Sequence, residues 1–178
     1  MKKFTLIVYM LIMISFMGIS CKKKVNYDVR YFGFSNDNAF EHLNEKYDNI
    51  HEYYRSYCYI GNTTTLKIKC ENYYSPTFDE TSSKYNSEVN ILLRSYTDEF
   101  FETKTLLICF GTSKKEVPQE NVKAVKFKDN IITITCKKNT NNQDVKKEMT
   151  PWILILELDK KDIDLSDEKP LRVKYKFI

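Results

Sequence analysis

The chain has 178 residues, room for one domain of ordinary size. Its 42% hydrophobic and 29% charged residues exclude wholesale disorder, and four Gly and four Pro exclude collagen-like and Gly/Pro-rich low-complexity chains. A formal net charge of +4 is too small to argue for nucleic acid, and two His leave little for histidine-based catalysis or a His-rich metal site.

The first residues, Met1-Lys2-Lys3, form a short positive segment. Phe4 to Phe16 is an apolar run, followed by Met17-Gly18-Ile19-Ser20-Cys21. A basic start, an apolar centre and a small residue before a candidate cleavage point are the layout of a secretory signal peptide. The apolar run falls short of the ~20 residues needed to span a bilayer as a helix. Ending at Cys21, the segment resembles the lipobox of bacterial lipoproteins, with Gly18 where that family usually carries Leu. The resemblance implies cleavage after residue 20, a lipidated Cys21, and a protein held on the extracytoplasmic side of a membrane in the cell envelope. The expected organisation is therefore a signal segment over 1–20, a lipidated tether over 21–27 and one α+β domain over 28–178. Removing Lys2 and Lys3 with the signal leaves 26 basic and 24 acidic residues, a net charge of about +2. Lys22, Lys23 and Lys24 beside the anchor read first as a solvated tether, and second as a contact to anionic headgroups.

Four more cysteines follow: Cys58, Cys70, Cys109 and Cys136. Export permits disulfides, and four cysteines allow three pairings. The preferred one is Cys58–Cys70 across a turn at Gly61-Asn62, with Cys109–Cys136 joining two apolar strands. Buried free thiols are the plain alternative.

Along the domain, Asp28 to Phe34 reads as a short strand. Phe40, Leu43, Tyr47, Ile50, Tyr54 and Tyr57 recur every three or four residues after the capping types Ser35 to Asn38, which predicts an amphipathic helix over 37–55. Thr65 to Cys70 alternates Leu66, Ile68 and Cys70 against lysines, and Glu88 to Tyr96 carries Val89, Ile91 and Leu93; both read as strands. Asp98 to Glu102 reads as one helical turn, and Leu106 to Phe110 as a central strand. Residues 121–138 form the clearest hairpin, turning at Asp129-Asn130. Trp152 to Leu158 and Leu171 to Ile178 complete the strands. The fold class is α+β, mainly β: one N-terminal helix packed on about seven mostly antiparallel strands.

Residues 95–160 contain Ser95-Tyr96-Thr97-Asp98-Glu99-Phe100-Phe101, the strand Lys104 to Phe110, a spacer with Gly111, the hairpin, and Thr150-Pro151-Trp152-Ile153. In layout this stretch resembles the C-terminal domain of protease-complex accessory proteins of the PrcB type. The resemblance implies association with an envelope protease complex and no catalytic residue.

The sequence contains no nucleotide-binding or nucleophile-elbow motif. His42 and His51 are nine residues apart, which fails the spacing of a helical metal pair. The aspartates 159, 162 and 164 lack the glycine of a calcium loop. The expectation is a non-catalytic lipid-anchored interaction module, with no metal and no cofactor. Its partners would be the membrane and an envelope protein, the latter met by strand addition at Leu171 to Ile178. Two alternatives stand beside it. One is a small-ligand or glycan-binding lipoprotein using the tyrosines at 53, 54, 57, 59, 73, 74 and 85. The other is a small envelope hydrolase using carboxylates such as Asp98 and Glu99.

Overall fold

The computed structural model describes residues 23–34, 55–71, 77–113, 122–137, 150–165 and 170–178. Among them are eight strands: β1 (Lys23–Lys24), β2 (Tyr27–Phe34), β3 (Arg55–Ile60), β4 (Lys104–Ser113), β5 (Val122–Lys128), β6 (Ile131–Cys136), β7 (Thr150–Asp159) and β8 (Arg172–Phe177). Three short helices lie between β3 and β4: α1 (Thr63–Lys69), α2 (Glu88–Arg94) and α3 (Asp98–Thr103). The fold is α+β and mainly β, as the patterning indicates.

Two four-stranded sheets form, in the orders β1-β5-β6-β8 (sheet I) and β2-β7-β4-β3 (sheet II). Every pairing is antiparallel except β6 with β8, which is parallel. Strand β7 lies inside sheet II, and Trp152 to Leu158 are all buried; a strand covered on both faces needs an unbroken apolar run rather than alternation. One face of sheet II presents Leu107, Cys109, Trp152, Leu154, Leu156 and Leu158 to sheet I, which answers with Val125, Phe127, Ile132, Ile134 and Cys136. The other face carries Leu106, Ile108, Phe110, Ile153 and Ile155 beneath Leu66 and Cys70 of α1, Leu93 of α2 and Phe101 of α3. The molecule is thus layered as sheet, sheet and helices, with sheet II in the middle.

The β5–β6 hairpin forms as its sequence predicts. Asp129 and Asn130 take φ of 51° and 57°, the left-handed pair of a two-residue turn whose twist suits the strands it joins.

Two predicted strands are helices. The expected strand at 65–70 is α1, and the one at 88–96 is α2. The Asn62 side chain accepts the Thr65 amide at 2.7 Å and caps α1. Helical spacing then brings Leu66 and Cys70 to one buried face and leaves Ile68 49% exposed. In α2, Asn90 and Leu93 are buried while Ile91 is 53% exposed. The alternating reading had placed both isoleucines inside. Eight strands still form because two that carry no such pattern are gained: Lys23–Lys24 joins sheet I beside β5, so the expected tether is already sheet there, and Arg55–Ile60 forms an edge of sheet II. Most of the expected helix over 37–55 lies outside the described residues, and its last residue, Arg55, opens β3.

Candidate interaction surface

Among the described residues, strand β8 stands at the end of sheet I, with β6 as its neighbour. The Arg172 amide donates to the Asn130 carbonyl at 2.8 Å, and the Ile178 amide donates to the Cys136 carbonyl at 3.0 Å. Even-numbered residues therefore aim their amides at β6. Val173, Tyr175 and Phe177 turn theirs the other way, toward the outer edge, as alternation along a strand requires. The side chains of Val173 and Tyr175 pack inward, where Tyr175 meets Trp152 edge-on at 5.9 Å. Arg172, Lys174 and Lys176 point outward and are exposed. The Tyr57 hydroxyl donates to the Leu171 carbonyl and holds the start of the strand against sheet II. The terminal segment singled out in the sequence is thus a firmly based edge strand, suited to accept another strand.

A charge cluster that the sequence reading missed sits on the helical side of sheet II. Glu157 of β7 is buried, its side chain 8% exposed. One carboxylate oxygen is 3.1 Å from Arg30 Nε and accepts the Tyr96 hydroxyl at 3.2 Å. The other is 3.2 Å from Lys104 Nζ, which also reaches Asp28 at 3.0 Å. A bulge in β2 between Val29 and Tyr31 leaves Arg30 without a partner in the β7 register, which is how it reaches a carboxylate near its own strand. Burial pushes the Tyr96 phenol well above its ordinary value, with the neighbouring Glu157 charge adding to it. The hydrogen bond to Asp28 raises Lys104. Both carboxylates share Lys104, so neither is posed as a general acid or base opposite the other. The arrangement is an ion clamp fastening β2 and the link between α2 and α3 to the central strands. Its signal in the sequence was one Glu inside the apolar run Trp152 to Leu158. Beside it, Val29, Arg30, Tyr31, Phe32 and Glu88 line an open cleft of about 460 Å³.

The other expected residues fall as follows. Cys21 lies outside the described residues, two positions before β1. Cys58 and Cys70 belong to the core beneath the helices, Cys109 and Cys136 to the core between the sheets, and all four are thiols in this structure. Asp98 and Glu99 occupy the first turn of α3 behind the Thr97 cap; both are exposed, and Asp98 accepts the Thr63 hydroxyl. They are helix-start residues rather than a facing catalytic pair. His42, His51 and the tyrosines at 53, 54, 73 and 74 lie outside the described residues. Tyr57 and Tyr59 pack on the inter-sheet core, and Tyr85 lies under the Arg94 guanidinium at 3.6 Å, so these three do not line an aromatic surface. Asp162 accepts the Asn26 amide at 2.9 Å and pairs with Lys23 at 3.2 Å, which draws its carboxyl below the ordinary range. No cluster of three or more metal-ligating side chains occurs among the described residues, and no helix there is long and apolar enough to cross a membrane.

No family model, no curated protein and no solved structure matches the chain.

Proposed function

We propose that this chain is a lipid-anchored cell-envelope protein, attached through Cys21, that acts as a non-catalytic interaction module. It captures an extended segment of an envelope protein by strand addition along β8. The observation that carries this reading is the position of β8: it ends sheet I, is held from behind by Trp152 and Tyr57, and turns the backbone of residues 173, 175 and 177 outward. The PrcB-like layout of residues 95–160 supports a partner in an envelope protease complex. The apolar stripe Phe40, Leu43, Tyr47 and Ile50 supports an amphipathic helix between β2 and β3.

The backbone parity supplies a clean test. Proline at Val173 removes an amide that faces the partner and spares the ladder to β6, and proline is tolerated on edge strands in that orientation. Full-length protein, tagged and crosslinked in its native envelope, is captured in mild detergent, and its companions are identified by mass spectrometry. A stoichiometric peptidase or envelope-complex subunit in the wild type, lost in Val173→Pro with the urea midpoint retained, is the expected result. Undiminished capture by Val173→Pro overturns strand addition at β8.

A further inference from the structure

The outer face of sheet I holds a concentration of one charge that no single segment of the sequence reveals. Positions directly opposite each other in a ladder share a face. Lys24 is opposite Lys126, Lys126 opposite Thr133, and Thr133 opposite Lys174, which gives one row across all four strands. A second row is Lys128, Ile131 and Arg172, and a third is Ala124, Thr135 and Lys176. The residues between them, Val125, Phe127, Ile132, Ile134, Val173 and Tyr175, point into the inter-sheet core, so the rows face outward. Six cations stand in these three rows, and no Asp or Glu does.

A solvated strand face needs polar groups, but it does not need one sign. The chain has 24 acidic residues to distribute, and none of these positions received one. Lysines that guard a sheet edge against pairing account for β8 and β1. They do not account for Lys126, which is flanked by Lys24 on one side and Thr133 on the other. Lys24 directly opposite Lys126 is an unfavourable like-charge pair, which an anion on the face would relieve. At the hairpin turn Lys128 pairs loosely with Asp129, 3.9 Å away.

We infer that this face docks flat on an anionic phospholipid surface. Choosing a membrane over a soluble polyanion rests on the lipid-anchor reading of Cys21. One residue, Lys22, separates Cys21 from β1, so the two Cα steps between them reach about 7 Å when extended. That reach is within the ~8 Å Debye length at physiological salt. An acyl chain on Cys21 would therefore hold the edge of sheet I at the headgroups, and the cations would decide which side of the molecule turns down. Strand β8 would then lie at the rim of the docked face, with its open edge parallel to the membrane and accessible from the side.

The test uses the full chain carrying Cys21→Ala, so that no acyl anchor contributes. Its partitioning is measured by flotation with phosphatidylcholine vesicles and with vesicles in which roughly one third of the lipid is phosphatidylglycerol. The apolar N-terminal run contributes to both, and the ratio of the two partition coefficients reads the cationic face. The expected ratio well exceeds one and falls as salt rises. Lys126→Gln with Lys174→Gln should cut it on the order of 25-fold, about fivefold per cation. Lys67→Gln with Lys69→Gln, an equal charge change on α1, should leave it within about twofold. Far-ultraviolet circular dichroism and the urea midpoint check that each variant is folded. A ratio near one for the wild type overturns the proposal whatever the variants do. Equal losses from the two pairs overturn it in favour of net charge alone. Displacement from the vesicles by a DNA duplex at equal phosphate concentration overturns the membrane as occupant. Lipidation of Cys21 is read separately, by mass spectrometry of the protein isolated from its own membrane, so the anchor and the docking face can fail independently.

Discussion

Raising the pH from 8 to 10 should destabilise this protein more than its surface charge would suggest, because thiols are buried in both of its cores. Cys70 lies beneath the helices and Cys109 between the sheets, and burial pushes each up to about 12 from an ordinary 9.0. Lesser influences act on Cys70: the Thr77 hydroxyl draws it down, and Cys58 and Glu71 push it up. On Cys109, the Tyr175 hydroxyl draws down while Cys136 and Cys58 push up. The unfolded chain gives up these protons above pH 9 while the folded chain keeps them. Their contribution is therefore fully present below about pH 9 and is lost as pH climbs toward 12. At pH 10, one unit above the unfolded value, each thiol costs about 1.4 kcal/mol, or about 3 kcal/mol together. That is a large share of the roughly 5–15 kcal/mol that holds a typical domain. Tyr96 and Lys104 are raised as well, and they add losses of the same sign from their higher starting values. The assay is urea unfolding at both pH values under reducing conditions, for the wild type and for Cys70→Ala combined with Cys109→Ala. The wild type should lose about 3 kcal/mol more than the double variant. Equal losses would refute the argument from burial. The same assay reads the proposed Cys58–Cys70 and Cys109–Cys136 cross-links, because protein isolated without reductant would have no thiol to titrate and should lose no more than the variant.

Glu157→Gln leaves Arg30 without its carboxylate and Lys104 with Asp28 alone; a cost of about 2 kcal/mol in urea unfolding is expected, below the usual 3–5 for a broken buried pair because Arg30 can turn toward solvent and Lys104 keeps Asp28. Leu154→Ala opens a cavity between the sheets and should cost about 3 kcal/mol. Ile91→Ala on the exposed side of α2 should change stability by less than about 0.5 kcal/mol, and a core-sized loss there would restore the strand reading of residues 88–96. The Asp162 carboxyl is held low chiefly by the Asn26 amide, so its contribution is present above about pH 3.8 and is lost as pH falls through its folded value. Acid titration of Asp162→Asn should therefore show a shallower decline below pH 4 than the wild type.

The strands that could be read from sequence are those whose pattern has one interpretation. Leu106 to Phe110 and Trp152 to Leu158 are unbroken apolar runs too short for typical helices, and both became the inner strands of sheet II. The hairpin at Asp129-Asn130 combined alternation with a turn pair that tolerates positive φ. Residues 65–70 and 88–94 were misread because six or seven residues can satisfy both periods at once. Leu66, Ile68 and Cys70 alternate, yet Leu66 and Cys70 are also four apart, and the deciding facts were a cap at Asn62 and a sheet face needing cover. Strands β1 and β3 were missed because Lys-Lys and Arg-Ser-Tyr-Cys-Tyr-Ile have no binary pattern; their neighbours β5 and β4 impose the extended form. The Glu157 cluster needed more than pattern. Its other four members come from residues 28, 30, 96 and 104, and a bulge places one of them.

The cationic face was hidden for a different reason, which also shows how the fold tolerates it. Alternation alone says that lysines near residues 126 and 174 point away from a core, but only the order β1-β5-β6-β8 makes them one surface. That order needs β8 to return parallel to β6, and a parallel partner is reached through a long connection whose destination local sequence does not encode. Strand β6 supplies the uncharged column Ile131, Thr133 and Thr135 between the cations of β5 and those of β8. Two strand spacings keep Lys126 and Lys174 about 10 Å apart, near a Debye length, so their mutual repulsion is mostly screened. The closest like-charge pair is Lys24 opposite Lys126 at the far side, where the chain leads back to Cys21, while same-face neighbours along β5 and β8 stand about 7 Å apart. The least favourable charge pair in the sheet thus lies at the point an anchored protein would hold closest to anionic headgroups, where the same pair becomes a binding contribution.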